Sequence, residues 1–546
     1  MHPVDLTIII VYLIGMLSFG FWLFRKNTGG DDYYVGGRHM GPVHIGLSVV
    51  ATDVGGGFSI GLGGLGFIMG LAGSWMLFTG LVGAWLAAVF LIPKVKGNPA
   101  FARFLTFPEV FGHYFGARVA LTAGIISAIG YAGFTSAQIL AGAKLANGTF
   151  ENLDLNTALL LMGIVAVVYT VLGGLKAVIY TDTIQWAILL LGLTFVGIPF
   201  AYFAVGGWSA VQETVRPEML SVFNIEWYQL VNWGVTIIPI WFVGMTLYQR
   251  IYACHDVRTA KRAWYLAGLF EYPVMAFMGV ILGLLARVAA DQGMFAYLGY
   301  VDIADTDPET GLPMLLRTVL PVGFMGVVMA AYFSAVLSTA DSCLMASSGN
   351  VVSDIIGYFK KLTPESKYFI RLSQLTTLII GIAALVLAST MENVLDLMLH
   401  SYAFMVSGLF IPIIGALYWR RAAPAGALSA MIAGGGTTMF LQLHQWGVTR
   451  DMAQEVLVEK GRSIAHLVPA LADNEWTSLS QFKLYQHLNE VTEGIRIFDI
   501  SWLNTRLAVP LDLDPNIYGI TVSLLFFVGL SLAFPKNRES LTAPKN

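Results

Sequence analysis

Ala51 to Phe58 reads ATDVGGGF, a carboxylate followed by three consecutive glycines inside the apolar run 44–69. Glycine is less favourable than alanine in a helix by about 1 kcal/mol, so three in a row predict that the helix opens here. Opened backbone at membrane depth survives only where it lines a cavity, and the carbonyls it frees are a means by which transporters hold ions. Close helix packing through small residues is the plainer account of the glycines. It does not explain Asp53, because an ionisable group in a span is costly and marks function by default. Asp53, Gly55, Gly56, Gly57 and Phe58 are therefore candidates to face a solute.

The apolar character extends along the whole chain. Of 546 residues, 56% are hydrophobic and 12% charged, with a mean hydropathy of +0.69, where soluble domains carry about 25% charged residues. A soluble multi-domain enzyme is excluded. The net charge of −3 and the placing of basic residues in short loops leave no nucleic-acid footprint. Lipid bilayer, ions and a small organic solute are the partners this composition implies. Cys254 and Cys343, one beside a basic loop and one in an apolar stretch, give no disulfide framework. The first apolar run lacks a basic leader and a small-residue cleavage pattern and is followed by Arg25 and Lys26, so it reads as a retained span.

With about 20 apolar residues needed per crossing, thirteen spans are expected: 6–24, 44–69, 74–93, 119–145, 157–172, 182–204, 230–248, 263–286, 323–345, 372–388, 394–418, 424–441 and 517–534. Loop charges then separate. Lys94, Arg118, Lys176, Arg250, Lys361 and Arg420 share one side, cytoplasmic by the positive-inside rule, while Glu151, Glu213, Asp302 and Glu309 share the other. The N-terminus is thus expected outside and the C-terminus inside. The polar stretch 442–516 carries Leu479, Phe482, Tyr485 and Leu488 at helical spacing, which predicts a small helical cap on the outer mouth.

The ninth span contains SAVLSTADSCLMASS, Ser334 to Ser348. Ala335, Ser338, Thr339 and Ser342 recur at i, i+3, i+4 and i+7, stacking hydroxyls and a carbonyl on one helical face. Neutral oxygens in that arrangement suit a hard cation such as sodium. Back-bonding to the helix's own carbonyls is the alternative, and Asp341 favours function. Asp182, in GGLKAVIYTDTIQ from Gly173 to Gln185, opens the sixth expected span. There a carboxylate either caps the helix against its dipole or serves ion coupling. Gly61, Gly63 and Gly66 spell GxGxxG, but without a preceding strand the dinucleotide reading fails. With no HExxH, P-loop or CxxC and no catalytic constellation, the chain is not expected to be an enzyme.

Four stretches, VGGR at 35–38, ATDVGGGF, YTVLGGLKAVIYTDTIQ at 169–185 and AVLSTADSCLMASS, together with Tyr248-Gln249-Arg250, resemble the sodium/solute symporter family, whose members carry proline, pantothenate, sugars, sialic acid and choline. The resemblance implies an all-α integral membrane protein with a LeuT-like core of inverted five-helix repeats and about thirteen transmembrane helices, two of them broken. On this pattern 1–43 is an extra N-terminal span and loop, 44–205 and 206–418 are the repeats, and 419–441 is an added span. An external insert, 442–516, and a last span with cytoplasmic tail, 517–546, follow. Also implied are the plasma (inner) membrane, Na+ as coupling ion and symport by alternating access.

The family's common sodium site would fall on carbonyls of Ala51, Val54 and Ala335 and hydroxyls of Ser338 and Thr339. A second would involve Asp182 and Ser342, with Asp341 standing where some members have a hydroxyl. Polar positions of the sugar carriers align with Phe58, Leu77 and Ile237, and unpaired sugar hydroxyls would cost about 1–3 kcal/mol each. Two cage positions of the choline carriers align with Asp53 and Gly244, so a choline-like cation is the alternative rather than the expectation. Proline carriers share Asp53. An amino acid, betaine-like osmolyte or small carboxylate is expected, with Tyr131, Phe134, Trp241 and Phe242 joining Phe58 around it, although each is also explicable as helix packing.

Overall fold

A chain surrounded by hydrocarbon must satisfy its backbone within each segment, and a helix lies over every one of the thirteen expected stretches. The computed structural model describes residues 2–25, 34–150, 153–171, 175–300, 306–363, 366–391, 393–443, 495–500, 505–510 and 513–535. In chain order these hold α1 (Pro3–Phe24), α2 (Pro42–Met69), α3 (Trp75–Leu86, prolonged through a π-turn to Ile92–Val95), α4 (Pro108–Phe115), α5 (Ala117–Thr149), α6 (Leu155–Val171) and α7 (Leu175–Gly192, prolonged through a π-turn to Ile198–Ala204). Then come α8 (Gly207–Thr214), α9 (Trp227–Val243), α10 (Met245–Ala253), α11 (Val257–Asp291), α12 (Pro308–Val319), α13 (Phe324–Phe359), α14 (Lys367–Ala388), α15 (Val394–Tyr418), α16 (424–443) and α17 (Pro515–Ala533). Among the described residues nine helices are long and apolar enough to cross a bilayer, or ten when α9 and α10, bent by 43°, count as one.

The helices are sided for lipid. On α14, Leu375, Ile379, Ile382 and Val386 are exposed, while Ser373, Thr377, Gly381 and Ala384 are buried. Large apolar residues therefore face outward and small or hydroxylated ones face the bundle, as helix association without a hydrophobic driving force requires. Deep inside, α13 runs against α2, α5 and α7. The glycines of the rejected GxGxxG pattern form a packing seam: a Cβ on Gly66 would strike the Val280 carbonyl, and one on Gly283 the Gly63 carbonyl. There α2 and α11 meet backbone to backbone.

The insert differs from expectation. Strands β1 (Ile495–Ile500) and β2 (Thr505–Pro510) pair antiparallel, Ile495 opposite Pro510 and Ile500 opposite Thr505, so these residues of the 442–516 stretch are strand rather than helix. IRIFDI is rich in β-branched and aromatic residues, which favour a pleated strand. The helical pattern at 479–488 lies outside the described residues.

Candidate transport site

The predicted opening of α2 is present. Gly55 takes φ +48° and ψ −169° inside an otherwise helical 42–69, a conformation that L side chains rarely adopt. The three glycines have three different reasons. Gly55 turns the backbone; Gly56 lies on Val336 of α13, which a Cβ would strike; Gly57 admits Gln138 of α5, whose Nε2 lies 2.6 Å from where a Cβ would stand. In an unbroken helix the Gly57 N–H would donate to the Asp53 carbonyl; here it donates to Gln138 Oε1 at 3.0 Å. Ser59 Oγ donates back to the Gly55 and Gly56 carbonyls at 2.9 and 3.1 Å. A second break falls at Gly244 (φ −66°, ψ 114°) between α9 and α10, where Tyr131 Oη receives the Thr246 N–H at 3.2 Å.

The hydroxyl face of α13 meets these elements, but its members part company. Thr339 Oγ1 donates to the Ala51 carbonyl at 3.0 Å and is 3.1 Å from the Ala335 carbonyl, so Ala51, Ala335 and Thr339 converge where α2 opens. Ser338 Oγ donates to Asp182 Oδ1 and Ser48 Oγ to Asp182 Oδ2. Arg250 closes the cluster. Its Nε donates to Ser48 Oγ at 3.0 Å, its Nη2 to Ser342 Oγ at 3.0 Å and to Thr52 Oγ1, and Nη2 lies 3.4 Å from Asp182 Oδ2. Both charged side chains are 0% exposed.

Three expectations are corrected here. Asp182 does not open its span: α7 begins at Leu175, so the carboxylate stands two turns inside and caps nothing. Lys176 draws the sequence boundary outward, although its helix continues past it. Arg250 is no loop charge, because α10 carries it into the bundle, where Asp182 and four oxygens receive it. Glu309 likewise leaves the outer loop: it is buried, bonded to Lys144 Nζ at 2.7 Å, and accepts the Val394 and Leu395 N–H groups that open α15.

The sequence pattern of the sodium:solute symporter family matches residues 33–434. The chain belongs to that family. This symporter is 29% identical over 435 residues to the high-affinity proline transporter of Bacillus subtilis, covering 78% of this chain and 89% of that one. It is 25% identical to the sodium/proline symporter of Salmonella typhimurium, over 80% and 87% of the two chains. Among solved structures, a Na+-coupled sialic acid symporter in a substrate-bound outward-open state superposes with a TM-score of 0.71 at 18% identity, over 98% of this chain and 99% of that one. The fold is thus LeuT-like, sodium is the coupling ion, and the chemistry is transport rather than catalysis.

On the solute side the symporter brings some expected residues together and separates others. Asp53 is buried at the break, 5% exposed. Tyr131 holds the second break through Thr246, and Phe134 stands edge-on to Tyr402 at 4.9 Å. Phe242 turns to Phe410 and Trp241 to Trp264. The side chains of Val54 and Phe58 lie outside the described part of the structure. Asp341 is 1% exposed and neither of its oxygens has a hydrogen-bond donor. Residues missed in the sequence are Ser48, Thr52, Gln138, Lys144, Arg250 and Glu271. Glu271 carried a usable signal, a lone carboxylate inside an apolar span.

Proposed function

We propose that this symporter lies in the plasma membrane with its N-terminus outside and its C-terminus in the cytoplasm, and carries a small amino acid of the proline kind inward with sodium. The sodium is held by carbonyls of Ala51, Val54 and Ala335 and hydroxyls of Ser338 and Thr339. One observation carries this reading: Thr339 Oγ1 stands between the Ala51 and Ala335 carbonyls, at 3.0 and 3.1 Å, at the point where Gly55 breaks α2. An ion there joins the first helix of one repeat, 44–205, to the second repeat, 206–418. Alternating access then consists of the repeats rocking about a site that sodium has completed.

The position for a second sodium, around Asp182 and Ser342, is served by the Arg250 guanidinium, which contacts both. One sodium per solute follows. An amino acid suits the break because Asp53 presents a carboxylate and Gln138 Nε2 a donor at opposite ends of the GGG segment. The named relatives being proline carriers supports the same class. The experiment is L-proline uptake into proteoliposomes under an inward sodium gradient. Accumulation above the outside concentration with sodium and not with potassium is expected. Equilibration without accumulation would mean a channel.

A further inference from the structure

Two basic side chains are buried among the described residues, and both are committed: Arg250 to Asp182, and Lys144 to Asp307 and Glu309. Glu271 has neither. It sits in the π-turn Phe270–Met275 of α11, where Tyr272 leaves helical geometry (φ −138°, ψ 122°), and is 0% exposed. Such turns open a helix's carbonyl ladder and recur at functional sites. The Glu271 and Asp53 carboxyls interact with each other. Apart from each other, Asp53 Oδ2 and both Glu271 oxygens have no hydrogen-bond partner. The Glu271 carboxylate lies on the backbone of α3 at Gly80, where a Cβ would stand 2.7 and 2.8 Å from its oxygens. The other titratable groups whose environment includes Asp53 are Tyr131, Tyr402 and Cys343, none of them a cation.

The break also holds an unpartnered group of the opposite sense. Gln138, 0% exposed, spends its Oε1 on Gly57, while its Nε2 has no acceptor. A pair of acids with no partner but each other and one orphan amide donor, all buried, belong to a protein that expects a ligand with donors and an acceptor of its own. A nitrogen that donates satisfies the oxygens. A quaternary nitrogen has no N–H and would set methyl groups against them.

We propose that Asp53 and Glu271 together receive the solute's nitrogen as an ammonium bearing at least two N–H bonds, and that Glu271 is the residue that makes the symporter reject quaternary ammonium solutes. The proposal rests on the amino-acid reading only for the carboxylate end, at Gln138. It divides the expected solutes: amino acids are accepted, and betaine-like osmolytes and choline-like cations are refused.

The test uses the full chain in proteoliposomes, with L-proline uptake competed by N,N-dimethylproline, which keeps the ring and carboxylate and lacks N–H. Pyrrolidine, which keeps N–H and lacks the carboxylate, is scored by sodium-dependent thermal stabilisation. Sites built to bond an N–H reject its absence strongly, so dimethylproline should compete roughly a hundredfold or more weakly than proline. In Glu271→Gln that ratio should fall to about tenfold or less, while half-saturation by sodium moves less than proline affinity. Should that variant not fold, Glu271→Asp takes its place for the residue assignment, and alanine against its trimethyl form in the unmutated protein tests the need for N–H bonds.

Equal competition by the quaternary forms, or an unchanged ratio in Glu271→Gln, overturns the inference and leaves amino-acid symport standing. Pyrrolidine stabilising the protein while no amino acid is transported overturns the amino-acid reading and keeps the ammonium site. Neither binding nor uptake sinks both.

Discussion

Asp182 and Asp53 are both carboxylates buried in spans, one packed beside the broken helix α2 and one on it, and they differ in what surrounds them. Asp182 is enclosed by two serine hydroxyls and a guanidinium. Asp53 faces a second acid and has an oxygen with no other partner. The first cluster is closed on itself, as a framework is; the second is incomplete, and on the reading proposed above it is the cargo that completes it. Burial of a charge in the membrane therefore does not tell scaffold from site, whereas the census of its partners does.

The largest expected effect breaks the closed cluster. Arg250→Met leaves Asp182 buried and uncompensated, which should destabilise the fold by about 3–5 kcal/mol, read as a large drop in thermal midpoint of the purified protein. Replacing both partners, Arg250→Met with Asp182→Leu, should recover much of that stability. A double variant no more stable than the single one would show that the two do not act as a unit.

Next in size is the ion itself. On the sodium site proposed above, Thr339→Ala should remove one oxygen from a desolvated cation, a loss of about 1.5–3 kcal/mol, or ten- to a hundredfold in sodium affinity. Coupling is reciprocal, so apparent proline affinity at fixed sodium should weaken too. Uptake across a sodium titration measures both, and an unmoved half-saturation would remove Thr339 from the site. Ser338→Ala should lower thermal stability as well, since its hydroxyl also serves Asp182.

Gly55→Ala probes the break that separates the two clusters. A residue with a Cβ held at positive φ with extended ψ costs about 1–3 kcal/mol, and this Cβ would also stand 2.7 Å from Thr339 Cγ2. The variant should bind sodium more weakly while remaining folded, and sodium-dependent thermal stabilisation reports it. A sodium response equal to the parent's would argue that the break is not tied to the ion.

The smallest effect is the sharpest contrast. Glu271 has no cation whose charge its loss would leave uncompensated, so Glu271→Gln should lower stability without ligand less than Asp182→Asn, which takes a charge away from Arg250. Equal destabilisation by the two would abolish the distinction between closed and open clusters.

Some of this was legible in the sequence because it is local. Three glycines weaken a helix wherever it packs, and Thr339 shares a helical face with Ala335 by spacing alone. What was not legible depends on distant partners. Arg250 counts as a loop charge until α2 and α13 bring Ser48 and Ser342 to it. Gln138 is one amide in a long apolar helix until Gly57 exposes its N–H. Glu271 stood inside a span in plain view, and only the π-turn of α11 and the closeness of Gly80 set it toward Asp53. Thirteen apolar stretches could be counted, yet boundaries slipped: α7 starts before Lys176, which looked like a loop residue, and α13 runs to Phe359, well past 345.

Arg250 is a cation that cannot leave. Moving one elementary charge through 100 mV of membrane potential is worth about 2.3 kcal/mol, and an ion that travels with the solute draws on that field in every cycle. A guanidinium bonded to Asp182 by α10 remains with the protein and travels nowhere. If it holds the place of a second sodium, the membrane potential acts on one transported charge per zwitterionic solute rather than two, which limits how steeply voltage can drive accumulation.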